Sequence, residues 1–415
     1  MHQPTLDDIL RGFSATALPS KEAHMLLPDF LRGPAHEIES FVDTILTKEY
    51  DGGTCLDAAL SQLSEEALDR LVRKWVATLD SDNLTEGIES LIACASLQRP
   101  AALHPFLERL FEVQPSQGNY YASWPWRKAP ASAVAYLAAQ AEASTDKELR
   151  MQAFECLLET RQAAALDICA ALAQSIPARH PMALYLESIG LSESGAALYA
   201  EESFHLVFPR KHFKPRSQSW NLPRIHPTWQ LEAEDGAYRF GGVGSGQCGL
   251  CGGKLHRLAE LPENRIGLSE RLQLASLETC LSCLGMEQPV LHYRHEESSE
   301  VVSLDKGECT PEFPAMPLKQ CEVRLAPTPA RWRWQDWGLS NGRENLHRLG
   351  GFPCWVQSAN HPSCPCCGGK MQFMMQLDSE LPDEDGEEWL WGSGGICYGF
   401  SCAPCRTTAY MWQCT

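Results

Sequence analysis

Four CxxC pairs in the second half of the chain constrain its fold more than any other feature. The pairs are Cys248 and Cys251, Cys280 and Cys283, Cys364 and Cys367, and Cys402 and Cys405. About 28 residues separate the first two pairs and about 34 the last two. Two such turns can bring four thiolates to one tetrahedral zinc at roughly 2.3 Å per bond. We therefore predict two zinc ions, one bound by Cys248, Cys251, Cys280 and Cys283, the other by Cys364, Cys367, Cys402 and Cys405.

The two cysteine sets lie in similar sequence contexts. A Gly-Gly-Lys run follows the leading CxxC pair at 252–254 and again at 368–370, and an apolar series with matching offsets continues each run. An Arg-apolar-Gly-Gly run precedes each pair, at 239–242 and at 348–351. Self-similarity of this kind indicates an internal duplication. We predict two related zinc-knuckle β units, residues 239–325 and 326–415.

Composition limits the class of protein and of partner. The 415 residues are 44% hydrophobic and 21% charged, which is typical of a soluble multidomain chain. No apolar run is long enough for a membrane span and the N-terminus lacks the pattern of a secretory signal, so we predict a cytoplasmic protein without a membrane partner. The chain has 18 cysteines, and in a reducing compartment cysteines are expected to bind metal instead of forming disulfides. The net charge of −18 makes nucleic acid an unfavourable partner and a basic protein a favourable one.

Residues 1–205 have the apolar spacing of consecutive helices. Ser64 and Thr85 have the residue type of helix N-caps, each followed by apolar residues at helical spacing, and further helical segments are predicted near 100–113, 130–143, 146–159 and 162–175. Stacked helical hairpins of the HEAT-like kind suit this pattern. A compact, irregular helical domain is the alternative.

A change of composition marks the domain boundary. Residues 206–238 form a proline-rich basic segment that predicts an extended connector, and the chain beyond it is rich in glycine and aromatic residues, with short strands predicted at 255–258, 370–377 and 408–412. The predicted fold class is therefore multidomain α+β: an all-α helical-repeat domain (1–205), the connector (206–238), and a duplicated, zinc-stabilised β-rich domain (239–325 and 326–415).

A site closed by four cysteines has no open position for a substrate or water, so we predict that both zinc ions are structural and that no residue is catalytic. No HExxH or GxSxG motif occurs in the sequence. Three nearby residues support the alternative of a metalloenzyme with an open or redox-active zinc: the spare thiol of Cys366, and His256 and His361 beside the ligand pairs. Such histidines are more often solvated neighbours or hydrogen-bond donors to ligands.

Two segments are candidate partner-binding surfaces. In the run 329–337, an extended backbone would place Trp332 and Trp334 on one face and the neighbouring arginines on the other, and Trp337 follows. Aromatic and arginine side chains in this pattern bind proteins or stack on bases. The alternative is that the tryptophans form the core of the β domain. The loop 378–388 carries seven carboxylates, which predicts a solvated hairpin tip that could steer a basic partner. Its candidate contact residues are Asp383, Glu384, Asp385, Glu387 and Glu388.

Three runs near the C-terminus carry a family resemblance. They are Leu-Gly-Gly-Phe-Pro-Cys-Trp-Val-Gln at 349–357, Met-Gln-Phe-Met-Met-Gln-Leu-Asp at 371–378 and Trp-Gly-Ser-Gly-Gly-Ile-Cys-Tyr at 391–398. In these runs the chain resembles the YwqG-like family of bacterial proteins, over roughly its last 70 to 170 residues. The resemblance implies a β-rich domain and no particular activity, and some such domains occur in toxin and immunity settings. The cysteine quartets and the helical half depart from the family pattern.

Together these features predict a non-enzymatic, zinc-stabilised protein that binds another protein. Its most specific form is a bacterial immunity protein that binds and neutralises a basic toxin. One alternative is a nucleic-acid-binding zinc-ribbon protein, which the basic connector and the Arg-Trp run support. The other is the metalloenzyme with an open zinc site.

Overall fold

The computed structural model describes residues 3–113, 115, 118–175, 180–215, 224–269 and 271–415. These residues form two compact units. The helical unit contains the described residues up to Ile189 together with 224 and 225, and the β unit contains residues 190–215 and the described residues from His226 to Thr415. The predicted multidomain α+β class is confirmed. The division at Ile189 precedes the predicted one at 205, because residues 203–207 form a strand of the β unit.

Eleven α-helices occur in the described part of the helical unit. They are Leu6–Leu10 (α1), Lys21–Phe30 (α2), Ala35–Lys48 (α3), Gly53–Gln62 (α4), Glu65–Val76 (α5), Glu86–Gln98 (α6), Leu107–Glu112 (α7), Ala131–Ala143 (α8), Lys147–Thr160 (α9), Ala163–Leu172 (α10) and Met182–Ser188 (α11). Among these described residues, no helix is both long and apolar enough to cross a membrane.

The predicted caps set the start of two helices. The Ser64 side chain accepts a hydrogen bond from the amide of Ala67 and opens α5, and the Thr85 side chain accepts one from Ile88 and opens α6. The segment predicted near 100–113 is helical only from Leu107, because Pro100 and the proline at 105 lack amide hydrogens and favour two 3-10 turns instead. The HEAT-like repeat type remains a prediction.

The described part of the β unit contains fourteen strands. They are Ser203–Val207 (β1), Tyr238–Phe240 (β2), Val243–Gln247 (β3), Lys254–Pro262 (β4), Leu274–Thr279 (β5), Leu291–His295 (β6), Val301–Ser303 (β7), Cys321–Pro327 (β8), Arg348–Gly350 (β9), Gln372–Asp378 (β10), Leu381–Pro382 (β11), Glu388–Trp389 (β12), Ile396–Cys402 (β13) and Thr407–Gln413 (β14). The predicted strand segments 255–258 and 408–412 lie within β4 and β14, and the segment 370–377 overlaps β10, which begins two residues later at Gln372.

Twelve of the described strands form a single antiparallel sheet. Its order is β3-β4-β2-β8-β1-β9-β10-β13-β14-β6-β7, with β5 paired to β4, while β11 and β12 form a separate hairpin. The two predicted zinc-knuckle units, 239–325 and 326–415, thus contribute to one sheet. Its largest apolar cluster draws on strands from both, including Leu258 and Leu277 from the first and Leu377 and Tyr410 from the second.

Strands β1 and β8 lie side by side where the parts of the sheet from the two predicted units meet. The Arg-apolar-Gly-Gly runs of the two repeats lie at β2 and β9. Strand β1, which precedes both predicted units, pairs with β9 of the second unit, whereas β8, at the end of the first unit, pairs with β2 at its beginning. The strands β1 and β8 also pair with each other, with Leu206 opposite Leu325. The β1–β8 pair therefore joins the strands of the first unit to those of the second.

The predicted connector 206–238 is not a free tether in the residues that are described. Its residues 216–223 lie outside the described ranges. Before them, the ring of Phe208 packs edge-on against that of Phe240 at 4.9 Å and against Phe213 at 5.1 Å. After them, the buried Thr228 accepts a hydrogen bond from the amide of Asn345 at 2.9 Å. Its aromatic and hydroxyl side chains therefore bind the segment to the β unit despite its proline content.

Candidate metal centres

The first metal cluster consists of Cys248, Cys251, Cys280 and Cys283. Their four sulfur atoms all lie within 4.8 Å of one another. The Sγ atoms of Cys248 and Cys283 are 3.8 Å apart, and those of Cys251 and Cys280 are 3.7 Å apart. Three of the cysteines are buried and Cys251 is partly exposed. The leading pair lies on the turn between β3 and β4, and the closing pair directly follows β5, so antiparallel pairing of β4 with β5 brings both to one end of the strands.

The second metal cluster consists of Cys364, Cys367, Cys402 and Cys405, whose sulfur atoms also lie within 4.8 Å of one another. The Sγ atoms of Cys367 and Cys402 are 3.8 Å apart. The leading pair precedes β10, while Cys402 ends β13 and Cys405 lies in the turn before β14. This cluster is the more open one, because Cys364 is buried while Cys367 is exposed.

These distances suit a tetrahedral metal bound by thiolates. A zinc ion with four bonds of about 2.3 Å requires its sulfur ligands to be about 3.8 Å apart. The three ligand-pair distances of 3.7 to 3.8 Å match that requirement. Four-thiolate sets of this kind suit zinc and other thiophilic ions. Both sets could thus bind a metal ion, and four sulfur ligands would leave no coordination position open.

The leading knuckles of the two clusters have the same hydrogen bonds. The amide of Cys248 donates to the carbonyl of Gly253 and the amide of Gly252 donates back to Cys248, at 2.8 and 3.0 Å. At the second cluster, Cys364 donates to Gly369, and Gly368 donates back to Cys364, both at 2.8 Å. The glycines at 252 and 368 have φ values of +70° and +74°, a left-handed conformation that glycine adopts without strain. The Gly-Gly-Lys run thus has a geometric role in each repeat.

Hydrogen bonds favour a thiolate at one leading cysteine of each cluster. A hydrogen bond from the Cys280 side chain, opposed by burial and assisted by backbone amides, lowers the pKa of Cys248 to about 5. Burial opposes ionisation of Cys364, but the Thr407 hydroxyl at 3.3 Å and two backbone amides outweigh it and lower the pKa of Cys364 to about 6. Ligand thiols must lose their protons to bind zinc, and these contacts favour the first deprotonation in each set. In contrast, hydrogen bonds to the leading thiols and burial raise the pKa values of the closing cysteines.

Neither histidine near the clusters is placed as a metal ligand. The Nδ1 atom of His256 accepts a hydrogen bond from the amide of Leu281, between the closing cysteines, and its Nε2 atom lies 3.1 Å from the carbonyl of Ala315. His256 therefore positions the knuckle. The ring of His361 is buried among aromatic rings, 5.4 Å from that of Tyr199. The spare thiol of Cys366 is exposed.

The tryptophan run does not form the extended strand considered above. Residues Ala330–Trp332 form a 3-10 helix, so Trp332 and Trp334 do not share one face of a strand. Trp332 is 3% exposed and its ring meets that of His226 at 4.5 Å. Trp334 stacks on Phe352 with ring centroids 3.7 Å apart, and Trp337 packs against a buried apolar cluster. Trp332 is therefore buried in the core, as the alternative interpretation predicted. The run 329–337 has no alternating Arg-Trp surface on which bases could stack.

The acidic loop divides into buried and exposed carboxylates. Asp378 and Glu380 are 1% and 8% exposed, so these two do not belong to the predicted solvated tip. The tip itself joins β11 to β12. Glu384, Asp385, Glu387 and Glu388 are exposed there and Asp383 is partly exposed. The ammonium of Lys214, from the basic segment, lies 3.6 Å from the Glu387 carboxylate.

Two features near the sites were not predicted from the sequence. Cys309 lies outside every CxxC pair, yet its sulfur is 3.8 Å from that of Cys283. Arg348 is fully buried in the Arg-Leu-Gly-Gly run, and its guanidinium donates to the carbonyls of Arg333 at 2.9 Å and of Phe352, and lies 3.4 Å from the sulfur of Cys354. The matching Arg239 of the first repeat is exposed and pairs with Glu260. The shared Arg-apolar-Gly-Gly pattern therefore does not reveal which arginine is buried.

Comparison with known proteins gives one partial likeness. The chain is similar to uncharacterized protein YpfL of Salmonella typhimurium (strain LT2), with 32% identity over 120 residues. The match covers 29% of this chain and 23% of the length of that protein. No family model matches the chain, and no solved structure matches it.

Proposed function

We propose that this protein is a binding protein and not an enzyme, and that two structural zinc ions stabilise its β unit. The observation that carries the proposal is the pair of four-thiolate sets, with ligand-pair sulfur distances of 3.7 to 3.8 Å. A zinc ion with four protein ligands contributes folding free energy and has no open position for a substrate. In each cluster the leading and closing CxxC pairs lie at two different loops between strands, so a bound metal would hold those two loops together.

The partner that the charges favour is a basic protein. The chain has a net charge of −18, and residues 1–200 hold 27 acidic and 15 basic residues. The exposed carboxylates between β11 and β12 add a local negative surface, in which Glu387 lies near the ammonium of Lys214. Such a field steers a cationic partner and raises its association rate. We propose that the hairpin tip, residues 383–388, takes part in this contact.

The most specific form of the proposal is a bacterial immunity protein that neutralises a basic toxin. The resemblance of the last part of the chain to YwqG-like proteins supports this form, since some of those domains occur in toxin and immunity settings. The acidic tip would then approach the cationic surface of the toxin. A stable complex of this kind buries roughly 1,200–2,000 Å² in total, so further contacts outside the six-residue tip are expected.

Metal analysis tests the structural part of the proposal. Zinc content and X-ray absorption at the zinc edge should be measured on the reduced, full-length protein. We expect two zinc ions per chain, each with four sulfur ligands at about 2.3 Å. A nitrogen or oxygen ligand at either ion would contradict the closed site and would favour the metalloenzyme alternative.

Affinity capture with tagged full-length protein from the native host, with and without nuclease, tests the binding part. We expect one stoichiometric basic protein that survives nuclease treatment and whose affinity falls with salt. Neutralising the tip with Asp383→Asn, Asp385→Asn and Glu387→Gln should slow association. The matched control neutralises three other exposed carboxylates of the β unit, Glu193, Glu201 and Glu287. Equal loss of affinity in both variants would contradict a role for the tip, and capture of nucleic acid alone would contradict protein binding.

A further inference from the structure

A fifth cysteine lies against the first metal cluster. Cys309 belongs to a segment that follows β7 and runs beside the leading knuckle. The amide of Cys309 donates to the carbonyl of Leu250 at 3.1 Å, and the amide of Gly307 donates to the carbonyl of Gly249 at 3.0 Å. Two backbone hydrogen bonds thus fix this segment to the residues between Cys248 and Cys251. The position of Cys309 is therefore set by the main chain of the knuckle itself.

The sulfur of Cys309 touches a ligand sulfur without completing the tetrahedron. It lies 3.8 Å from the sulfur of Cys283, as close as that sulfur is to its partner ligand Cys248. Cys309 does not belong to the group of four whose sulfur atoms all lie within 4.8 Å of one another. It is therefore a free thiol placed beside one ligand of a cluster that is already full.

The two sulfur atoms differ in access to solvent. Cys283 is fully buried, whereas Cys309 is partly exposed. A small oxidant in solution therefore reaches Cys309 more readily. A disulfide bond is about 2.05 Å long, so the two sulfur atoms need to approach by only about 1.8 Å to form one.

We propose that Cys309 and Cys283 form a reversible disulfide under peroxide stress, and that this bond releases zinc from the first metal cluster. This inference rests on the zinc binding of the proposed function. Hydrogen peroxide oxidises the Cys309 thiol to a sulfenic acid, and one water molecule leaves. The Cys283 thiolate then leaves the metal and attacks the Cys309 sulfur, which expels hydroxide that takes up a proton to become water. The two sulfur atoms lose two electrons in total, and these reduce the peroxide to two water molecules.

The consequence for the site is the loss of one of its four ligands. Three thiolates remain for the metal, and the disulfide holds Cys283 against the 305–309 segment. The zinc affinity of the cluster then falls, because one of its four bonds between zinc and a thiolate is lost. A dithiol reverses the step by thiol–disulfide exchange, which restores the Cys283 thiolate. The first metal cluster is therefore a site at which peroxide destabilises the β unit reversibly.

Peroxide titration of the zinc-loaded, full-length protein tests this proposal. All variants carry Cys366→Ser, which removes the exposed spare thiol at the second cluster. Zinc release is followed with a colorimetric indicator, and disulfides are mapped after trypsin digestion. Residues 307–319 form a tryptic peptide in which Cys309 is the single cysteine, and residues 272–294 contain Cys280 and Cys283. We expect these two peptides to become linked, with fragmentation placing the bond at Cys283, and zinc to return after treatment with dithiothreitol.

The decisive comparison adds Cys309→Ser or Cys309→Ala, neither of which removes the backbone hydrogen bond to Leu250. Because a neighbouring thiol reacts far faster than one in solution, we expect zinc release from the first cluster to slow about tenfold or more in both variants. Cys321→Ser, which removes another partly exposed thiol of the β unit, should release zinc at the unaltered rate. Equal release with and without Cys309, or disulfides confined to the four ligands, would overturn the proposal. Absence of zinc from the reduced protein would instead refute the proposed function, and with it the zinc release.

Discussion

Replacing a buried ligand of the second metal cluster should unfold the β unit at a lower temperature. Cys364 is 1% exposed and precedes β10, while Cys402 ends β13 and Cys405 precedes β14, so a metal bound by these cysteines would tie three strands together. Structural zinc contributes about 10–16 kcal/mol through four ligands, or about 3 kcal/mol for each thiolate. For a unit of about 200 residues, where 1 kcal/mol shifts Tm by about 2–4 °C, Cys364→Ser should lower Tm by about 6–12 °C.

Cys366 provides a matched control for this experiment. It lies two residues away, is exposed and is outside the group of four, so Cys366→Ser makes the same chemical change without removing a ligand. Thermal unfolding should be followed by calorimetry, together with hydrogen exchange of peptides from β13 and β14. We expect faster exchange in these strands for Cys364→Ser and no change for Cys366→Ser. If Cys364→Ser lost its zinc but kept the wild-type Tm, the structural role of the metal would be wrong.

Three further predictions concern buried groups of the β unit. Burial raises the pKa of Glu344 to about 7 in the folded protein, so its contribution to stability is present below pH 4.5 and is lost as pH rises toward 7. In urea unfolding, Glu344→Gln should therefore gain about 2.5 kcal/mol of stability relative to wild type between pH 5 and pH 8. A stability difference that does not change with pH would contradict this. Arg348→Met leaves the carbonyls of Arg333 and Phe352 without their donor and should cost about 2–6 kcal/mol in the same assay, whereas Arg239→Met at the exposed counterpart should cost under about 1 kcal/mol. Gly350→Ala would place a methyl group 2.2 Å from the carbonyl of Glu202 at a φ of +60°, so we expect loss of the β1–β9 pairing, seen as faster amide exchange in both strands.

Local patterns in the sequence predicted the parts of the fold that depend on neighbouring residues. The caps Ser64 and Thr85 and the apolar spacing after them identify α5 and α6, because a helix is fixed by contacts three and four residues apart. The spacing of the CxxC pairs likewise identified which cysteines come together, since each pair needs only a tight turn. Strand β10 follows from its run of apolar residues.

Features set by distant contacts were not predictable from the same patterns. The pairing of β1 with β9 joins residues more than 140 positions apart, and nothing near residue 204 specifies it. The alternation around Trp332 fits a strand, but the 3-10 helix that begins at Ala330 takes its place, and the ring is buried against His226. Cys309 reaches the first metal cluster through hydrogen bonds to the knuckle, which no spacing rule encodes.

The pairing of β1 with strands far along the chain also sets the order in which the chain can fold during synthesis. Strand β1 leaves the ribosome early, but its partner Leu349 in β9 follows Phe204 by 145 residues. At about 5–20 residues per second, roughly 7–30 s pass before that partner has been made. The other partner of Phe204, Pro327 in β8, follows it by 123 residues. For most of this interval β1 therefore has unpaired backbone groups on both edges and an apolar sequence, a combination that favours aggregation. The β unit is therefore expected to depend on chaperones while it is being synthesised, whereas the helical unit can fold before it.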